Sequence, residues 1–447
     1  MKKIYFIGIN GIGMSGLAKI MKNKGYEVAG TDLSRTYVTE ELESLNIKVN
    51  SKHEAENIIG FDLVVISSAI KESNPEYKYA LDNGIKIIKR GELLAMLLNK
   101  EVGIAIAGTH GKTTTSSMLG ATMLSVDPTL VIGGILPEIG SNSKIGKSEY
   151  FIAEADESDK SFLYMHPKYS VVTNIEKDHM ENYGSLDSIK DAFNNFMNQT
   201  TIEIIACIDC PITSEVIKDR QNIKTYSLKN KNADIYAYDI KIQDGKTYYK
   251  VRIQERELGE FHLSIPGEHN ILNSLPVIYL ADKFDVEIKL IREALANFKG
   301  AKRRYDILLD NKIKLIDDYA HHPTEIKATL KGAHSIENRP ITAIFQPHRY
   351  SRINFLLNEF KDAFKDTDEL LLMPIYSAGE INEYGITEEK LLNTIGHKNG
   401  KIVKDFYEIE NRILNEHKGR VFLFMGAGNI SYAAHEIADK YRGERQK

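Results

Sequence analysis

The sequence predicts an α/β protein of three domains, each built on a mainly parallel sheet. Short apolar runs of strand length alternate with helical stretches along most of the chain, which is the pattern of β-α-β units. Two of those runs end in glycine-rich turns that open a helix. The length, 447 residues, fits two to four domains at ~100–200 residues each.

Within residues 1–99 the strand-like runs are 4–7, 27–30, 63–67 and 86–88, and the first helix is predicted over 15–23. A second domain, residues 100–299, opens with the buried run 102–107 and continues with 150–153, 170–173 and 203–208. Residues 233–265 alternate in polarity and read as hairpins beside that sheet. A third domain, residues 300–447, carries strands at 313–317, 341–345, 370–373 and 421–424, helices at 324–333 and 351–364, and a terminal helix.

Composition narrows the function. The chain is 42% hydrophobic and 27% charged with a formal net charge of −4, which suits packed cores and gives no polyanion-binding surface. Neither nucleic acid nor membrane is expected as a partner. No segment approaches the ~20 apolar residues of a membrane helix. The apolar N-terminal stretch is too short for a secretory leader, so the expected location is the cytoplasm. Cys207 and Cys210 form a C-x-x-C spacing without a second ligand pair. They read as small residues at a strand end rather than a redox or metal motif.

The first glycine turn is Gly8-Ile9-Asn10-Gly11-Ile12-Gly13-Met14-Ser15-Gly16. It follows a strand and opens a helix, so its backbone N–H groups can meet a diphosphate at the helix N-terminus. Asp32, after the second strand, stands where an acid meets a ribose hydroxyl. The domain is therefore expected to be Rossmann-like. NAD and a UDP-sugar satisfy the same physics, and tight helix–strand packing is the reading without a ligand.

The second turn, Gly108-Thr109-His110-Gly111-Lys112-Thr113-Thr114, is a short phosphate loop between a buried strand and a helix. Amides cradle a β-phosphate, Lys112 reaches the β- and γ-phosphates, and the Thr113 hydroxyl binds Mg²⁺. A P-loop ATPase-like central sheet with extra β-strands follows from it. Two different phosphate loops in one chain imply that ATP and a second nucleotide conjugate meet in one enzyme.

Further polar clusters sit at strand exits. Glu154, Asp156, Glu157 and Asp159 offer Mg²⁺ ligands, with Glu154 nearest the strand; Asp156, Glu157 and Asp159 read equally as a solvated acidic loop. His179, beside Asp178, suits a metal or phosphate, or a surface position. Next to His269, Asn270 and Asn273 would share a helix face, with adenine pairing and helix capping as the alternatives for the amides. Asp317-Asp318-Tyr319-Ala320-His321-His322 and Gln346-Pro347-His348-Arg349-Tyr350-Ser351-Arg352 each end a strand of the third domain, whose sheet is expected to be Rossmann-like as well.

Taken together, G-T-H-G-K-T-T, E-A-D-E-S-D and H-R-Y-S-R resemble the Mur ligase family along the whole chain, and within it the branch that adds the first amino acid of the peptidoglycan stem. The resemblance implies ATP-dependent ligation of L-alanine to UDP-N-acetylmuramate, with two Mg²⁺ ions for which Mn²⁺ can substitute. It implies that Gly8, Gly11, Gly13, Gly16, Asp32 and Ser67 hold the UDP-sugar. Gly108, Thr109, His110, Gly111, Lys112, Thr113, Thr114, His269, Asn270, Asn273 and Asp318 would bind ATP. Lys112, Glu154, His179 and Arg304 would serve catalysis, and Thr113, Glu154 and His179 the metals. Tyr319, His321, Arg349 and Arg352 would hold the amino acid. Asn10 and Ala320 depart from the family's usual glycine, and the position at Asn194 that matches the carbamate-forming lysine of sister ligases holds no lysine. The remaining readings are a tripeptide-recycling ligase on the same sugar and an NAD-dependent dehydrogenase. A monomer or homodimer is expected.

Overall fold

The computed structural model describes residues 3–67, 69–415 and 419–444. It is a three-domain α/β structure with parallel sheets. By contact the chain falls into two compact units. One comprises Met1–Glu176, Asp187–Tyr226 and Lys283–Val286; the other comprises Lys177–Leu186, Ser227–Asp282 and Glu287–Lys447.

The first unit holds two sheets. The N-terminal sheet is fully parallel, in the order Lys48–Asn50, Glu27–Thr31, Lys3–Ile7, Leu63–Ile66, Lys86–Lys89. The order reverses between Lys3–Ile7 and Leu63–Ile66, and the carboxyl ends beside that reversal are where such sheets bind ligands. The second sheet runs Ile223–Ser227, Glu203–Cys207, Tyr169–Val172, Val102–Ala107, Tyr150–Glu154, Thr129–Leu136, Ser141–Lys144. Val102–Ala107 is buried at every position, as a central parallel strand covered on both faces must be. Helix Leu186–Asn198 shows the complementary pattern: Ile189, Ala192, Phe193, Phe196 and Met197 form one buried stripe.

The second unit holds an antiparallel meander, Ile235–Gln243, Lys246–Ile253 and Arg256–Leu263. Its main sheet runs Asp306–Asp310, Lys314–Asp318, Val421–Met425, Ile341–Phe345, Glu369–Leu372, Gly400–Ile402, with the first strand antiparallel and the rest parallel. Helix Pro323–Ile336 starts where local chemistry demands it. His322 accepts from Thr324 N–H at 3.2 Å, proline occupies the first turn, and Glu325 closes a capping box.

Two helix expectations need correction. The first helix spans Ile12–Asn23, starting earlier than residue 15, because Gly11 C=O already accepts from Met14 and Ser15. The stretch 351–364 is not one helix: a short helix, Tyr350–Phe355, gives way to a 3₁₀ turn, Leu357–Phe360. The break lets Phe360 and Phe364 both pack on Phe345, at ring-centroid distances of 5.9 and 5.1 Å. Among the described residues no helix is long and apolar enough to cross a membrane.

Candidate active site

The second glycine turn is rigidly built. Gly108 has φ +138°, and a Cβ there would lie 1.9 Å from Thr173 Oγ1. Thr109 N–H donates to Asn174 C=O at 3.0 Å and His110 N–H to the Asn174 side chain at 2.8 Å. Gly111, at φ +84°, turns the chain into helix Lys112–Thr122. No bulkier residue takes these backbone angles without strain.

Lys112 lies back on its own loop. Its ammonium donates to Gly108 and Thr109 carbonyls at 2.5 and 3.2 Å and to Glu157 at 2.8 Å. Burial pulls its pKa down, but Glu157, Asp156 and Glu154 outweigh this and leave it above the ordinary lysine value. Glu157 is only 4% exposed, and Asp156 pairs with Arg90 at 3.2 Å. Asp159 accepts from Ser161 N–H. The acids after the strand are thus engaged by the protein, which overturns the solvated-loop alternative for Glu157 in particular.

Glu154 accepts from Thr113 Oγ1 at 3.2 Å, Ser116 Oγ at 3.0 Å and Gly133 N–H at 2.5 Å. A hydroxyl and a carboxylate converging beside a phosphate loop are hard oxygen donors, the set Mg²⁺ prefers. Thr114 is buried in the same first helical turn. His110 faces Glu176, Nε2 to carboxylate 3.5 Å.

The first glycine turn divides its labour. Gly8, at φ +83°, has Ser67 Oγ 2.9 Å from where a Cβ would stand, so the structure brings these two residues together. Asp32 accepts from Asn10 N–H at 3.0 Å and Ser34 N–H at 3.2 Å, fastening the turn to the end of the second strand. Asn10 also donates to Ser34 C=O at 2.6 Å, a contact glycine could not make. Gly11 leaves its neighbours at ordinary contact distance. Gly13 makes room for Arg90 and Gly16 for Ser143, each within about 3 Å of a built Cβ. Close packing therefore explains those two glycines without a ligand.

In the second unit a histidine–arginine cluster forms. Asp178 pairs with Arg352 at 3.3 Å, both side chains 8% exposed. Burial would raise the Asp178 carboxyl, but Arg352 and the neighbouring histidines hold it far below the usual range. His179 sits at φ +51°, with Asp178 and Glu181 carboxylates 3.6 and 3.7 Å from its ring nitrogens. Glu181 also meets Arg349 at 3.3 Å.

Arg352 donates to His348 Nδ1 at 3.2 Å. His348 stacks on Tyr376 at 5.5 Å and lies 6.2 Å from His321. His321 Nδ1 donates to Tyr319 C=O at 2.9 Å. Burial, then Arg352, pushes His321 down to about 3 and His348 down to about 4. Both rings are neutral near pH 7.

Tyr319 is flanked by two guanidinium groups, Arg303 at 4.7 Å and Arg304 at 5.1 Å from its ring centre. Arg304 approaches Glu325 at 3.8 Å. Asp318, 5% exposed, accepts from Tyr305 N–H, Ala320 N–H and Thr329 Oγ1, and burial raises it to about 6. A carboxylate has about four acceptor sites, so room for one further hydroxyl remains.

Asn270 and Asn273 lie inside helix Glu268–Lys283 on one face, linked at 3.4 Å. Asn270 also donates to Pro266 C=O at 2.6 Å; it is not a cap. His269 lies over Gly267, and burial lowers it to about 4.

Sequence reasoning assigned no role to Glu181 or His348, and it weighed Glu157 as a metal ligand or a solvated acid rather than as the partner of Lys112. For His348 the signal was available, since it sits inside the motif that supplied Arg349 and Arg352. Of the C-x-x-C pair, Cys207 is buried with its thiol pushed up to about 12, and Cys210 hydrogen-bonds with the Ile175 backbone.

Comparison with known proteins agrees along the whole chain. Three family models match: "Mur ligase family, catalytic domain" over residues 3–101, "Mur ligase middle domain" over 106–281, and "Mur ligase, glutamate ligase domain" over 303–428. A UDP-N-acetylmuramate–L-alanine ligase of Fusobacterium nucleatum subsp. nucleatum is 57% identical, covering 99% of this chain and 98% of its own length. One from Sulfurihydrogenibium sp. is 42% identical over 100% and 99%. Among solved structures, the UDP-N-acetylmuramate-alanine ligase of Thermotoga maritima superposes with a TM-score of 0.83 at 30% identity, covering 99% of both chains. A murein peptide ligase from Psychrobacter arcticus shares the fold, with a TM-score of 0.71 at 23% identity over 99% of both chains. Matched by all three models in order over residues 3–101, 106–281 and 303–428, this chain belongs to the Mur ligase family.

Proposed function

We propose that the chain joins L-alanine to the lactyl carboxylate of UDP-N-acetylmuramate, converting ATP to ADP and phosphate, in cytoplasmic peptidoglycan precursor synthesis. The observation that carries this is 57% identity over 99% of the chain to a relative of that name. We assign residues 1–99 to the UDP-sugar, 100–299 to ATP and 300–447 to the amino acid.

The chemistry has two steps. A carboxylate oxygen of the sugar attacks the γ-phosphorus of ATP, the bond to the bridging oxygen breaks, and ADP leaves an acyl-phosphate. The alanine amine then attacks the acyl carbon, phosphate leaves, and the nitrogen loses a proton. Lys112 exchanges Glu157 for the β- and γ-phosphate oxygens, and Arg304 meets charge on the transferring group. Thr113 and Glu154 would hold one Mg²⁺ and His179 a second. When bound, the ions neutralise phosphoryl oxygens. His269, Asn270 and Asn273 take the adenosine side, and the fourth acceptor site of Asp318 takes a ribose hydroxyl. Arg349 and Arg352 bind the alanine carboxylate by charge-assisted bonds, beside Tyr319 and His321.

A phosphate-release assay tests this with UDP-N-acetylmuramate, ATP and each amino acid in turn. Release is expected with L-alanine. Release with the alanyl-glutamyl-diaminopimelate tripeptide and not with alanine would transfer the chain to the recycling ligases. Nicotinamide reduction without ATP use would overturn the ligase reading altogether.

A further inference from the structure

The chain has two cysteines, and the proposed chemistry uses neither. Cys207 ends strand Glu203–Cys207 and is 3% exposed; Cys210 precedes helix Pro211–Val216 and is half-buried. The turn between them closes over the first sulfur: Cys207 Sγ accepts from the backbone N–H groups of Asp209 and Cys210. That contact sets the first sulfur beside the backbone from which the second side chain springs. Disulfides need such proximity, with Cβ atoms ~3.5–4.5 Å apart.

The second sulfur is engaged elsewhere. Cys210 Sγ accepts from Ile175 N–H at 3.4 Å and donates to Ile175 C=O at 3.5 Å. Ile175 lies between the two residues that fasten the phosphate loop. Asn174 accepts from Thr109 N–H at its carbonyl, 3.0 Å, and from His110 N–H at its side chain, 2.8 Å; Glu176 N–H donates to Thr109 Oγ1 at 2.9 Å. Segment 174–176 is therefore tied to the loop on one side and to a thiol on the other. Oxidation of Cys210 removes the proton it gives to Ile175 C=O, and rotation toward Cys207 withdraws the acceptor from Ile175 N–H. No histidine or carboxylate gathers with the two sulfurs into a group of three among the described residues, so a metal is not what joins them.

We propose that Cys207 and Cys210 form an oxidative modification site: a low-molecular-weight disulfide converts the pair to an internal disulfide, which loosens segment 174–176 and with it the phosphate loop. The effect on ATP rests on the ATP assignment above; the disulfide itself does not. The Cys210 thiolate attacks one sulfur of the small disulfide, that S–S bond breaks, and a small thiolate leaves. Cys207 then loses its proton to water and attacks Cys210 Sγ, and the second small thiolate leaves. Two protein thiols are oxidised by two electrons, and one small disulfide is reduced to two thiols. Exposure orders the steps, since Cys210 is the more accessible sulfur. Burial, which pushes the Cys207 thiol up to about 12, makes closure the slower step. In a reducing cytoplasm a pair of this kind reports oxidation transiently.

The test exposes the full chain, its Cys207→Ser form and its Cys210→Ser form to glutathione disulfide, followed by thiol titration and intact mass. The full chain should lose both thiols and ~2 Da with no glutathione retained, whereas Cys207→Ser should retain one glutathione, ~305 Da, and Cys210→Ser, left with the buried sulfur, none. Hydrogen exchange reads the coupling: oxidation should speed exchange at the Thr109, His110, Ile175 and Glu176 amides by ~10-fold or more, and dithiothreitol should restore it. On the same samples the dissociation constant of ATP should rise by ~10-fold while that of UDP stays put. A full chain that keeps both thiols, or that carries glutathione without closing, overturns the site. A disulfide that leaves those four amides unchanged overturns the coupling to the loop. If the reduced chain does not bind ATP, the ATP reading falls, while mass and exchange still decide the disulfide and its reach.

Discussion

The two compact units handle clustered charge by opposite means. In the first, the cation is paired in advance: Lys112 rests on Glu157 and its own loop carbonyls. In the second, much of the potential charge is switched off. His269, His321 and His348 are neutral because burial and nearby arginines disfavour a proton, and the lasting positive charge is left to guanidinium groups, which do not lose theirs. A loop lysine need only swap one anion for another. A cluster with neutral histidines can hold two fixed arginines without accumulating repulsion.

The largest effect expected from this contrast is at Lys112. Lys112→Ala should lower phosphate release by ~10³-fold or more, as removal of phosphoryl-stabilising charge does, while UDP still binds by calorimetry. Near-normal turnover would break the comparison on the first side. On the second side, Arg352→Ala leaves Asp178 buried without its partner, a loss of about 3–5 kcal/mol in unfolding free energy by denaturant titration. An unchanged midpoint would show that the pair is not a structural linchpin.

Acid should sharpen the contrast further. An unfolded histidine titrates near ~6.5, whereas folded His269 and His348 are held near about 4. Their contribution is fully present above pH ~6.5 and is lost as pH falls toward 4, by up to about 3 kcal/mol each. Asp318, raised to about 6, works the other way over the lower part of that window and offsets some of the loss. In the first unit Lys112 is raised and Asp156 lowered, so neither titrates between pH 4 and 6.5. Hydrogen exchange at pH 7 and pH 5 should therefore show the second unit loosening first; the reverse order would refute the account. The smallest effect is expected at half-exposed Arg349: Arg349→Ala should raise the KM for alanine by ~10- to 100-fold, the cost of one charge-assisted contact. Saturation curves for alanine measure it directly.

The same contrast explains what could be read from the sequence. Phosphate loops are local: a strand, a glycine turn and a helix fit in one short window, so Gly108, Gly111 and Lys112 announce themselves. The second unit draws His179, Arg304, Tyr319 and Arg352 from distant segments, and only the family resemblance grouped them. Buried strands such as Val102–Ala107 were legible from continuous apolar runs. Ser141–Lys144, a polar hairpin strand, carries no such signal. The helix expected over 351–364 failed for a tertiary reason, since seating Phe360 and Phe364 on Phe345 outweighs continuing the helix.

The division of the chain by contact also bears on dissection by protease or by gene truncation. Glu268 reaches Lys331 at 3.0 Å, and the Gly267 backbone lies 3.3 Å from where a Cβ on Gly332 would stand. A fragment that begins at residue 300 leaves both partners behind and bares the face of helix Pro323–Ile336 that they cover. Whoever wishes to study the carboxyl-terminal sheet on its own should carry helix Glu268–Lys283 along with it.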